Sequence, residues 1–202
     1  MPLALLVASM LGERIAHRAQ QAAGHRSVRE ISPHANDDCS GFARAVYGRE
    51  GIDLSALPPL PGENGVANIH RLARARRALR RAPRPGDLVF FRDTLPRRKG
   101  LTHVGVVEAV RGSEVIFVHR AGKGIVRSRL DLRHTHSTAD NDFIKRGGQG
   151  PRLAGELLAG FASPDRLSAS SARATARWRG RDTRRTSARA PASAPRQACT
   201  AS

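Results

Sequence analysis

Apolar and polar positions along this chain follow two different periods, and the change falls near Pro85. Before it the spacing is helical. "LGERIAHRAQQAAGH" is dense in good helix formers and stops near Gly24, which predicts a helix over Glu13–Ala23. After a loop punctuated by Pro33, Asp38 stands where an N-cap belongs. Phe42, Val46 and the Ala43/Tyr47 pair then repeat at i, i+3 and i+4, which predicts a packed helix closed by Gly48. "LSALPPLPGENG" is a Pro-rich loop. "VANIHRLARARRALRR" predicts a further amphipathic helix, with Ile69, Leu72, Ala75 and Leu79 inward and the arginines outward.

Past Pro85 the period drops towards two. "GDLVFF", "THVGVVEAV", "EVIFVHRA" and "GIVRSRLDL" predict four strands divided by Gly-containing turns. Helices first and consecutive strands afterwards predict an α+β fold, with N-terminal helices packed on an antiparallel sheet. The hairpin in "VEAVRGSEVIFVH" carries a further consequence. A two-residue turn at Gly112-Ser113 places His103 and His119 on opposite faces. A three-residue turn from Arg111 to Ser113, or a bulge of equal effect, places both on one face.

Composition adds limits to this pattern. At 202 residues the chain suits one domain plus extensions. It is 40% hydrophobic but only 4% aromatic, so the core must be mostly Val, Leu, Ile and Ala. The formal net charge of +18 invites a nucleic-acid reading. Its distribution argues otherwise. Nine Arg and two Asp lie from Ala162 onward, and much of the remaining charge sits in "RLARARRALRRAPR". Aromatics that would stack bases are not interleaved there, so a solvated basic face, or attraction to an anionic polymer, fits better than specific nucleic-acid recognition.

The ends differ from the middle. Residues 162–202 turn Ser/Ala/Arg/Pro-rich, with Trp178 the sole aromatic, and such a segment buries too little apolar surface to order itself. A disordered basic tail is expected there, after a domain over 13–161. The start, "MPLALLVASMLG", is too short to span a bilayer. Residues 1–12 read either as a truncated signal segment or as an ordinary helix start. No other segment is long enough to cross a membrane.

Candidate chemistry centres on "NDDCSGFARAVYG". A cysteine at a helix N-terminus feels the positive end of the helix dipole and several free backbone N–H groups. Both favour thiolate, and the same N–H groups can receive an oxyanion. The alternative is that Cys39 is a small core residue. His103 begins a strand and can project towards a facing helix terminus as a thiol base, and His119 on the next strand can hold its tautomer. Cys199 lies in a very different context, so no disulfide is expected, and neither cysteine has zinc spacing. His134, His136 and Asp140 in "DLRHTHSTADND" read as surface positions, not a metal site. Gly122 and Gly124 form no phosphate loop, since no helix follows. Nothing calls for a metal or a cofactor.

At these residues the chain resembles the NlpC-type cysteine peptidases, papain-like enzymes of bacterial cell-wall metabolism. "DDCSGFARAVYGREGIDL", "PRPGDLVFF", "THVGVVEAV" and "VIFVHR" are similar to that family's successive motifs, over about Glu13 to Phe143. The resemblance implies Cys39 as nucleophile, His103 as base and His119 as orienting group, with Asp38 and Ser40 flanking the nucleophile on the substrate and oxyanion side. Asn141 is an alternative orienting residue. It further implies hydrolysis of amide bonds in peptidoglycan stem peptides, a cut near D-glutamate, a periplasmic or secreted location in the cell envelope, and a monomer. CHAP amidases share the Cys-then-His order and the same chemistry. A non-catalytic basic module holding cell-wall polymer or nucleic acid is the reading from a different class. Two departures stand out. The family's upstream Tyr and Gly-Gly pair are replaced by "VREISPHAND", and the loop "RDTLPRRKGL" before His103 is longer and more basic.

Overall fold

The apolar run at the start of the chain joins the helix that follows it, as α1 runs unbroken from Leu3 to Ala22. The computed structural model describes residues 3–145 and 150–168. The expectations for Cys199 and for most of the basic tail lie outside the described residues. No helix among the described residues is long and apolar enough to cross a membrane.

Two helices follow α1. The helix α2, Cys39–Gly48, is capped by Asp38, whose side chain accepts from the Gly41 N–H at 2.7 Å. Its apolar stripe of Phe42, Ala43, Val46 and Tyr47 is buried as the spacing predicts. The helix α3, Gly65–Ala75, starts under an Asn64 cap and stops earlier than the pattern suggests. Arg77 adopts φ 53° there, and the N–H groups of Arg77 and Ala78 bond back to the carbonyls of Arg74 and Ala73. That is a Schellman ending with arginine in the position glycine usually takes. Ala75 and Leu79 are therefore exposed, not inward, and Leu79–Arg80 becomes a short strand, β1.

The four strands expected after Pro85 form as β2 (Leu88–Arg92), β3 (Leu101–Arg111), β4 (Glu114–Ala121) and β5 (Gly124–Asp131). Short elements were not legible: β6 (Phe143–Lys145), β7 (Arg152–Leu153), α4 (Ala154–Leu157) and β8 (Leu158–Ala162). The main sheet has the order β1-β8-β2-β3-β4-β5, antiparallel throughout, while β6 and β7 make a separate ladder. The strand β8 closes the chain back between β1 and β2. A short helical stretch after it buries Leu167 completely, so residues 162–168 belong to the domain and not to a tail.

The sheet is buried on both faces, which explains why "LVFF" reads as continuous apolar rather than alternating. One face, with Leu88, Phe90, Val104, Val106 and Val118, packs on Ile15, Phe42, Val46 and Ile69 of the helices. The other, with Val89, Phe91, Val107, Phe117 and Phe161 of β8, is covered by Ala154 and Leu157 of α4. The Tyr47 hydroxyl donates to the Gly86 carbonyl at 2.6 Å and ties α2 to the turn that opens β2.

Candidate active site

The histidine strand pair resolves the register question in an unexpected way. The hairpin turn has two residues, with Arg111 opposite Glu114, which alone would separate the two histidines. Glu108 is then an extra residue: Ala109 faces Ile116 but Val107 faces Phe117. This β-bulge shifts the parity of the rest of β3, so His103 and His119 share one face. Their imidazoles meet, His103 Nε2 to His119 Nδ1 at 2.8 Å. Gly105, two residues along β3 from His103, packs against His119. A methyl group there would sit 2.9 Å from the Val118 carbonyl and 3.2 Å from His119 Cβ, so an alanine would force the strand or His119 to shift.

The β3–β4 ladder ends at Val106 opposite Val118, and β4 continues beyond it paired to β5. The Val104 N–H reaches the thiol of Cys39 on that side. Cys39 is thus held at the first turn of α2 against the residue next to His103. Two further N–H groups, its own and that of Ser40, also lean on the sulfur. Gly41 permits this packing. A methyl group there would fall 1.9 Å from the Asn36 carbonyl, because the preceding loop crosses the first helical turn.

Electrostatics differ from the sequence expectation for Cys39. Burial pushes its thiol up, and the Asp38 carboxylate adds to this against the three N–H groups. The resting group is a thiol, not the lowered thiolate that a helix terminus alone would give. Burial lowers His103 to about 4 and holds His119 well below the usual histidine range, the latter also through His103. Both rings are neutral near neutral pH.

The side chains of Asp38 and Ser40 bond to each other at the start of α2. The Asp38 carboxylate caps α2, and its Oδ1 also accepts from the Ser40 hydroxyl at 2.7 Å. Ser40 is buried. Their side chains hold the helix start, and the N–H groups of Cys39 and Ser40 beside the sulfur are the backbone donors that remain there. Asn141 lines the same cavity as His119, but its own hydrogen bonds go elsewhere. Its Oδ1 accepts from the Asp131 N–H at 2.9 Å and its Nδ2 donates to the carbonyls of His134 and Ser137, which fixes the loop after β5. In the same loop His134 lies by Asp131 and Asp140, while His136 faces Glu156.

Three contributors were missed in the sequence. Ser128 on β5 contacts the far nitrogen of His119, Nε2 to Oγ at 3.2 Å. Its signal was a polar residue between Val126 and Leu130 on one strand face. Arg120 and Asp37 pair across the site, and the Val104 N–H meets the thiol. Neither contact leaves a trace in local pattern.

A solved structure described as similar to lipoprotein, NLP/P60 family, from Staphylococcus aureus subsp. aureus Mu50 is 23% identical, with a TM-score of 0.42. The match covers 76% of this chain and 41% of that protein. No curated protein matches. The family match spans residues 23–141, from the end of α1 to Asn141, and so takes in Cys39, His103 and His119. The chain belongs to the NlpC/P60 family, whose members are usually hydrolases acting on the cell wall.

Proposed function

We propose that the chain is a cysteine peptidase that hydrolyses amide bonds in peptidoglycan stem peptides, with Cys39 as nucleophile, His103 as base and His119 as orienting group. The observation that carries this reading is the 2.8 Å bond between His103 Nε2 and His119 Nδ1, beside the Val104 amide that holds the thiol. With Nε2 occupied, Nδ1 of His103 is the nitrogen left to take a proton. As the Cys39 sulfur attacks the carbonyl carbon, its proton passes to His103 Nδ1. The C–N bond then breaks and the same proton goes to the leaving amine. Water attacks the thioester, His103 takes its proton, and the thiol is regenerated with release of the acid.

Backbone N–H groups of Cys39 and Ser40 at the start of α2 are the donors for the oxyanion, since the Asp38 side chain already satisfies Gly41. A neutral imidazole and a neutral thiol suit proton transfer during attack. They store no ion pair beforehand. The basic surface suits a wall polymer whose peptides carry free carboxylates, and a place in the cell envelope follows from that substrate.

Mass spectrometry of muropeptides after incubation with wild type and Cys39→Ala tests the proposal. New products differing by one water, formed by wild type alone, are expected. Binding to cell wall without any new product in either sample would favour a non-catalytic module.

A further inference from the structure

The chain of imidazoles does not end at His119. In the β4–β5 ladder His119 faces Val126 and Phe117 faces Ser128. Ser128 is therefore the diagonal neighbour of His119 on one face, a separation that a ring bridges readily. Its Oγ lies 3.2 Å from His119 Nε2. His119 is buried, with 4% of its surface exposed at the edge of a cavity, so each ring nitrogen needs a hydrogen-bond partner.

The direction of this last bond decides the protonation of the others. For His103 Nδ1 to accept the thiol proton, His103 must carry its own proton on Nε2 and donate it to His119 Nδ1. His119 must then be protonated on Nε2 and donate to Ser128. Were the serine hydroxyl to donate instead, every proton in the chain would reverse, and His103 would turn an N–H towards the thiol. A serine oxygen can serve either way. Here Ser128 lines a cavity of about 820 Å³ together with Lys123, Thr138 and Asp142. Solvent in that cavity can accept a hydrogen bond from the hydroxyl, which leaves a lone pair for the imidazole.

We propose that Ser128 is a positioning residue, whose hydroxyl accepts from His119 Nε2–H and thereby keeps His103 in the tautomer that can act as base. This rests on the proposed roles of Cys39, His103 and His119. Unlike those roles, it is also readable in the resting protein.

The experiment uses the isosteric pair Ser128→Thr and Ser128→Val, of which only the first keeps a hydroxyl. Both side chains are β-branched and suit a strand. Nitrogen-15 shifts of the imidazoles should report an Nε2-protonated His119 in wild type and Ser128→Thr, and a mixture of tautomers in Ser128→Val. Against muropeptides, Ser128→Val should lose about tenfold in kcat with KM within about twofold, a fraction of what general-base catalysis supplies, and Ser128→Thr should restore most of it. Identical imidazole spectra in the two variants would overturn the proposal. If wild type itself cleaves no muropeptide, the peptidase reading fails, and the spectra still decide what Ser128 does.

Discussion

Arg120 grips Asp37 through two parallel hydrogen bonds, Nε to Oδ1 at 2.8 Å and Nη2 to Oδ2 at 3.0 Å. Arg120 follows His119 in β4, and Asp37 stands two residues before Cys39. Asp37 Oδ1 also accepts from the Val28 N–H at 2.9 Å. One carboxylate therefore fixes the nucleophile's loop to the strand that carries the orienting histidine. Arg120 holds Asp37 well below the usual carboxylate range, so the clamp persists in mild acid. Arg120→Ala should fold normally but lose about ten- to a hundredfold in kcat/KM, the scale on which small misplacements of reacting groups act. Kinetics on muropeptides with circular dichroism as a fold control checks this.

Gly105→Ala should be damaging out of proportion to its size. The new methyl meets the Val118 carbonyl, the Phe117 ring and His119 Cβ at 2.9 to 3.2 Å. Overpacking of this kind costs about 1–3 kcal/mol, and here part of the strain is relieved by moving His119. Urea denaturation should register the stability loss, and activity should fall further than stability alone explains.

The Cys39 thiol, raised by burial, should titrate above a free thiol. Iodoacetamide labelling of Cys39, resolved by peptide, should have its pH midpoint above the roughly 8.5 of a short cysteine peptide measured alongside. A midpoint in the acid range would instead mean a preformed thiolate–imidazolium pair, which would reverse the order of proton transfer given above.

Two buried groups give stability opposite pH dependences over nearly the same window. His103 falls from 6.5 to about 4 on folding, so its contribution is complete above 6.5 and is lost as pH falls towards 4. Burial raises Asp87 from 3.8 to about 7, against the neighbouring Arg80, so its contribution is present in acid and lost as pH rises through 7. His119, held well below the usual range, adds a second slope of the same sign as His103, so the wild type should gain stability with rising pH between about pH 5 and 6.5, partly offset by Asp87. Asp87→Asn should steepen that rise in urea unfolding across the same range. An unchanged profile would show that Asp87 does not titrate there.

Ending the chain at Phe161 should destabilise the fold, whereas ending it at Ser170 should not. The shorter form loses Leu167 from the helical-face core, the Ser163 N–H bond to the Ala78 carbonyl at 2.9 Å, and the Arg76 bond to the Leu167 carbonyl. Loss of a buried leucine costs about 2–5 kcal/mol. Thermal melts of the two forms make the comparison.

What the sequence determined by itself was local. The Asp38 cap and the stripe from Phe42 to Tyr47 act within one or two helical turns, so they put Cys39 at the start of α2 whatever the rest of the chain does. The four long strands were equally legible, because alternation and turn glycines act over a few residues. Short elements such as β1 and β8 were not, since they exist only by pairing with distant strands. Tertiary structure alone decided whether the histidines meet. A two-residue turn argued against it, and only the bulge at Glu108, set by how β3 and β4 lie together, reversed the parity. The thiol's direction of shift was decided the same way: a helix terminus lowers it, but desolvation by neighbours far away in sequence outweighs that pull. Capping and alternation are short-range terms carried by the residues themselves. Register, burial and the partners of a buried nitrogen belong to the packed whole.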